Sequence, residues 1–235
     1  MKLLLMILFF SNFTLASTGR TVGNGGDVIV CKNSSYSNMV LDWFEGINLR
    51  GLHLNLGDTN LSISDKLEIA IHRLQRVSPF RAKKYLEHLQ VFFEETKWLK
   101  DGVLVDIPDS DHIALPVDCE LKQIANQAPP VLSSDKRYII DFNLWQNLNN
   151  DQKAALLLHE VIYREAIENN QQNSVSSRFL NSLILSEEFE EIGQIEFNEI
   201  LKKLGFELGE YNQFQIDLTK NYILKSGKKI FTPKF

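Results

Sequence analysis

The sequence predicts an α+β fold, with about five helices in the middle of the chain and short strands near the N-terminus, at mid-chain and in a C-terminal hairpin. Three observations carry this. Apolar residues recur at helical spacing from Leu67 to Val77 and from Ala154 to Tyr163. Short β-branched or alternating runs, Val28 to Cys31 and Cys119 to Ala125, read as strands. Glycine and proline punctuate the joins between them.

Taken in order, Gly23-Asn24-Gly25-Gly26-Asp27 reads as a turn that leads into the strand Val28 to Cys31. Exposed N–H groups of such a glycine cluster can cradle an anion, but without a following helix an ordinary turn is the simpler reading. Val40 to Leu49 is short enough to be a second strand or a short helix. A helix follows with Leu67, Ala70, Ile71, Leu74 and Val77 on one face and Ser64 as its N-cap. Ser78-Pro79 starts the next helix, with proline at its first position, which the apolar spacing extends to about Trp98. These two helices are expected to pack as a pair.

Val103 to Ile107, Cys119 to Ala125 and Tyr138 to Ile140 are strand candidates, separated by a Pro108-Asp109-Ser110-Asp111 turn and by Pro129-Pro130. Asn149 or Asn150 then caps a helix of about 19 residues running to Asn169, with Gln152 placed for a capping-box contact. Further helices are expected from Ser174 to about Ser186 and from Phe189 to Leu204, where Gly205 stops the chain. In the tail, Phe214 to Leu218, Tyr222 to Leu224 and Ile230-Phe231 around a Lys225-Ser226-Gly227-Lys228 turn read as a hairpin or small meander.

The first residues indicate an address. Lys2 precedes an apolar run that ends near Phe10, and Thr14-Leu15-Ala16 supplies the small residues that a signal peptidase reads. About 20 apolar residues are needed to cross a bilayer, so residues 1–16 read as a cleaved signal peptide and 17–235 as one globular domain in the periplasm or outside the cell. No later stretch is apolar enough for an integral membrane segment. With 30 acidic against 25 basic side chains and a net charge of −5, the chain lacks the cationic excess of a nucleic-acid protein. Its two cysteines, Cys31 and Cys119, form an even pair in an exported chain, which points to a disulfide contributing about 4 kcal/mol. Two buried thiols remain the alternative, because sequence does not give the Cα separation.

Chemistry concentrates on the long helix, in Leu158-His159-Glu160-Val161-Ile162-Tyr163. This run resembles the metal-binding helix of zincin metallopeptidases, H-E-x-x-H, where two histidines on one helix face bind zinc and the glutamate polarises the metal-bound water. The resemblance implies His159 as a ligand and Glu160 as the catalytic base. It covers about ten residues and departs from the pattern at the second histidine, where Tyr163 stands. Glu188 and His112 are the candidates to complete a zinc site, while Asp109, Asp111 and His112 offer ligands to calcium or a transition metal, or simply cap their own turn. The structural reading of the same helix makes Glu160 and Arg164 a buried polar i,i+4 pair.

Arg73, Arg76, Arg81, Lys83 and Lys84 crowd the junction of the first two long helices and form a candidate binding patch for an anionic envelope polymer or a protein partner. The alternative is a solvated face paired with nearby acids. His53, His72 and His88 are isolated.

A wider set of stretches, Gly23 to Asp27 with Cys31, Val105 to Ser110 before Leu115-Pro116 and Cys119, His159-Glu160 with Tyr163-Arg164, and Asn173-Ser174 with Arg178, resembles an uncharacterised group of exported proteins of predatory and related Gram-negative bacteria. That likeness implies an extracytoplasmic location and a shared fold, and no reaction. The sequence therefore leads to an exported, non-enzymatic binding or structural protein of the cell envelope with no cofactor. The alternative is a zinc-dependent hydrolase, or a degenerate metallopeptidase, built on His159 and Glu160.

Overall fold

The computed structural model describes residues 23–24, 26–32, 38–104 and 115–208. The expected signal peptide, the strand continuing from Val105, the Asp109 to His112 turn and the C-terminal hairpin lie outside the described residues.

The fold is α+β with helices dominant. In chain order the elements are β1 (Gly23–Asn24), β2 (Asp27–Cys31), β3 (Met39–Val40), α1 (Leu41–Asn48), α2 (Ile63–Val77), α3 (Pro79–Val91), β4 (Thr96–Leu99) and β5 (Cys119–Gln123). They continue with β6 (Ala125–Gln127), β7 (Tyr138–Asp141), α4 (Phe142–Gln146), α5 (Asn150–Glu168), α6 (Val175–Ile184) and α7 (Gln194–Lys203). One small sheet has the order β1-β6-β7-β4 and the other β3-β2-β5.

The centre of the molecule is α5. Its apolar residues point in every direction, and Ala154 to Leu158, Val161, Ile162, Tyr163 and Ala166 are buried, with Ile167 partly so. A helix that is apolar all round needs covering all round. On α5 this cover comes from α2, α3, α6 and α1, with β3 and β6 completing it. Asn149 caps α5 by accepting from the Gln152 N–H at 2.9 Å. Gln152 itself makes no capping box: its side chain accepts instead from the Val40 N–H at 2.8 Å and ties β3 to the helix.

Several local expectations shift. Val40 to Leu49 is mostly helix. Ser62, not Ser64, caps α2, because Asp65 returns the bond to the Ser62 N–H and completes a capping box. The second helix of that pair stops at Val91, and Thr96 to Leu99 leave it to pair in parallel with Tyr138 to Asp141. Trp98 therefore sits on a strand, where its ring lies 5.5 Å from that of Trp145 on α4. Gly193 splits the expected Phe189 to Leu204 helix into a 3-10 turn at Glu188–Glu191 and α7. Gly205, at φ 74°, ends α7 as expected.

Cys31 and Cys119 are bridged. They are directly opposed in the β2–β5 ladder, with Cα atoms 4.1 Å apart, and the bond closes 88 positions of chain. Such a bond persists in an oxidising compartment. No helix among the described residues is long and apolar enough to cross a membrane.

Candidate functional site

Four polar residues of α5, Gln152, His159, Glu160 and Glu165, lie within the core, so each requires a partner. His159 is 1% exposed and Glu160 is fully enclosed. His159 faces α1: its Nδ1 stands 2.7 Å from Asp42 Oδ2, and the same carboxylate oxygen accepts from the Asn181 amide of α6 at 2.6 Å. Asn181 also donates to the Ala155 carbonyl at 3.0 Å, which fixes α6 against α5. One turn along, Glu45 of α1 binds Arg178 of α6 at 3.1 Å and accepts from Arg50 at 2.8 Å. A buried seam of charge thus joins α1, α5 and α6.

Burial alone lowers the pKa of an imidazole. In His159 the neighbouring Asp42 carboxylate and its hydrogen bond, with a contribution from Glu160, outweigh that burial and raise the pKa to about 9. Burial pushes Asp42 up, and the His159 charge with the two hydrogen bonds pulls it net below the usual carboxylate value. His159 is therefore an imidazolium at neutral pH, paired through Nδ1. Its Nε2 has no hydrogen-bond partner among the described residues.

Glu160 turns the other way, toward the glycine-rich segment. Its Oε1 accepts from the Gly26 N–H at 2.6 Å and its Oε2 from the Gln127 side-chain amide at 2.9 Å. The same amide donates to the Glu160 carbonyl at 2.9 Å. Burial dominates this group and leaves its pKa raised, although the His159 charge and both donors oppose that shift. The approach needs glycine at position 26, since a Cβ there would fall 2.3 Å from Leu156 Cδ1 and 3.2 Å from Glu160 Oε1. Gly26-Asp27 and His159-Glu160, far apart in sequence, form one packed joint.

The zinc set drawn from the sequence does not come together. Glu188 lies on the 3-10 turn, where it accepts from the His53 N–H and pairs with His53 Nδ1 at 2.5 Å in an exposed position. His112 lies outside the described residues. Tyr163, at the place of the zincin's second histidine, has its ring 5.9 Å from the imidazole of His159. Among the described residues no three His, Cys, Asp or Glu side chains form a metal-holding group. The donors that surround Glu160 are N–H groups, which suit a fixed carboxylate better than one that must reach a metal-bound water.

The Glu160–Arg164 pair is also corrected. Arg164 pairs with Glu95 at 2.9 Å and more loosely with Glu168 at 3.7 Å. Helical spacing would allow the expected pair. Glu160 is instead drawn inward to the Gly26 and Gln127 donors, whereas Arg164 lies at the half-buried margin where Glu95 waits.

In the basic patch the three arginines turn to internal partners, while Lys84 and Lys83 stay toward the surface in ion pairs. Arg73 donates to the Asn55 carbonyl at 2.7 Å and the Leu185 carbonyl at 3.1 Å, and contacts Glu190 at 3.1 Å. Arg76 donates to the carbonyls of Phe189 at 2.6 Å and Ile192 at 3.1 Å. Arg81 grips Glu165 through two bonds of 3.0 Å, and Tyr85 adds a 2.5 Å bond to the same carboxylate. Lys84 pairs with Glu168 at 2.8 Å and Lys83 with Glu87 at 3.9 Å. Guanidinium groups suit the capture of exposed carbonyls at chain ends because they offer several donors in a fixed plane.

Asp42, Glu45, Gln127 and Asn181 were not singled out by the sequence reading. One signal was present: Asp42 and Glu45 fall on the same side of a short helix as Leu41 and Phe44, which are all buried. Acids on an apolar face call for internal cations, here His159 and Arg178. Comparison with protein-family models, with curated proteins and with solved structures finds no match to this chain.

Proposed function

We propose that this chain is an exported, non-enzymatic binding protein of the cell envelope, in which His159 and Glu160 hold the fold together rather than perform hydrolysis. The observation that carries this reading is the commitment of Glu160: both its oxygens are held by N–H donors in a fully enclosed position. A general base must reach the water it deprotonates. The signal-peptide pattern of the sequence over residues 1–16 and the Cys31–Cys119 bridge support an address in the periplasm or beyond.

Metal analysis of the exported protein after incubation with zinc is the direct test, combined with hydrolysis assays on casein and simple esters. The expected result is substoichiometric zinc and no hydrolysis above a Glu160→Gln control. Stoichiometric zinc that disappears in His159→Ala, or hydrolysis that disappears in Glu160→Gln, would overturn the proposal.

A further inference from the structure

An open concavity lies between α2 and α3. Its volume is about 430 Å³. One wall is the row Ile63, Leu67, Ile71 on α2, the other is Leu86 and Leu89 on α3 with Phe93 in the turn that follows it, and Leu157 of α5 forms the floor. Leu86 and Phe93 are 45% and 51% exposed, so two large apolar side chains stand in water at its edge. The polar side chains are distributed along both margins rather than gathered at one end, with Ser64, His72 and Gln75 on α2 and Gln90 on α3.

We infer that this groove docks a short basic amphipathic helix of a partner protein, an inference that rests on the binding-protein reading above. Length supports it. From Ile63 to Ile71 the α2 wall runs about 12 Å at 1.5 Å per residue, which matches a helix that presents apolar anchors at i, i+3 or i+4, and i+7. Polar margins on both sides suit a helix with one apolar face, whereas an acyl chain needs its polar contact at one end. Charge selects the sign. Glu68 lines the groove, no lysine or arginine does, and Glu68 makes no ion pair among the described residues. A carboxylate beside an apolar trough attracts a helix flanked by lysine or arginine and repels fatty-acid anions and acidic helices.

The test uses the full exported protein and a fluorescent amphipathic peptide made of leucine and lysine, its leucine–glutamate counterpart, and dodecanoate as competitor. The leucine–lysine peptide is expected to bind saturably, one per chain, and the glutamate version at least about tenfold more weakly. Leu86→Ser and Phe93→Ser each weaken binding by about tenfold; the melting temperature holds in Leu86→Ser, whose side chain is already half in water, and falls in Phe93→Ser, whose ring also stacks on Trp98 and meets Trp145. Glu68→Lys reverses the preference between the two peptides.

Binding of the leucine–lysine peptide that ignores all three substitutions would reflect general attraction to an acidic chain and overturn the inference. So would equal displacement by dodecanoate, or a dimer of the chain itself that Leu86→Ser dissociates. Zinc content and hydrolysis, measured on the same preparations, report separately on the broader reading, since none of these groove residues touches His159 or Glu160.

Discussion

The Gly26 N–H donates to the Glu160 carboxylate at 2.6 Å, a bond that spans 134 positions of sequence. It explains why a glycine-rich turn and a His-Glu pair are both needed without any catalytic step. The turn must pass close enough to α5 for a backbone donor to reach a buried carboxylate, and the carboxylate needs that donor because Gln127 satisfies only its other oxygen.

Gly26→Ala is expected to destabilise the protein by about 1 to 3 kcal/mol, since the new Cβ would overlap Leu156 Cδ1 and force the joint apart. Urea denaturation of the purified variant measures this. An unchanged midpoint at an unchanged slope would mean that the turn does not rest on α5 in solution.

The His159–Asp42 pair gives stability a particular pH dependence. The histidine's folded pKa, about 9, lies above its ordinary value of 6.5, so its contribution is fully present below about pH 6.5 and is lost as pH rises toward 9. Glu160, whose pKa is raised by burial, likewise contributes at acidic pH and loses that contribution as pH rises above the ordinary carboxylate range. Thermal melting between pH 6.5 and 9 should therefore decline, by an amount on the order of 2 to 3 kcal/mol. In His159→Gln the decline should flatten. A wild-type profile level across that window would contradict the buried imidazolium.

Reduction of Cys31–Cys119 should lower stability by about 4 to 5 kcal/mol, the chain-entropy value for a loop of 88 positions. For a chain of this size that is roughly 10 to 15 °C in melting temperature. Calorimetry with and without reductant reads it directly, and two titratable thiols in the native protein would show that the bridge is not formed.

Arg81→Met should cost about 3 to 5 kcal/mol, more than an ordinary surface substitution, because it abandons Glu165 and the Tyr85 hydroxyl in the interior. Burial tends to raise Glu165, and Arg81 holds its pKa below the usual value, so the loss should ease at acidic pH, where the carboxyl can protonate. Chemical denaturation at neutral and acidic pH separates the two cases. Equal losses at both would assign the effect to packing instead.

The long helices were legible because runs of apolar residues at helical spacing are a local signal. Leu67 to Val77 and Ala154 to Tyr163 fixed α2 and α5 in the reading of the sequence alone. What escaped depended on distant partners. Phe92, Phe93 and Trp98 continue a helical spacing, but the parallel pairing of Thr96 with Tyr138 takes Trp98 onto a strand. The cysteine pair was readable from compartment logic, and its opposition across β2 and β5 needed the fold. At the site, His159 and Glu160 stood out by their residue types, whereas their partners Asp42 and Gln127 lie 117 and 33 positions away. Arg73 and Arg76 looked like part of a surface because a sequence displays charge and conceals the carbonyls of Leu185, at the end of α6, and of Phe189 and Ile192, at the 3-10 turn, that accept from them.

The bridge has a mechanical consequence as well. A force applied at the two ends of the chain passes directly from β2 to β5 through the sulfur atoms and leaves Cys31 to Cys119 outside its path. That enclosed stretch contains α1, α2, α3 and β4, and fully extended it would measure about 300 Å. While the bond is intact, stretching can draw out only what lies before Cys31 and after Cys119. The first two long helices and the groove between them are thereby shielded from tension, and a single reduction would release their whole length.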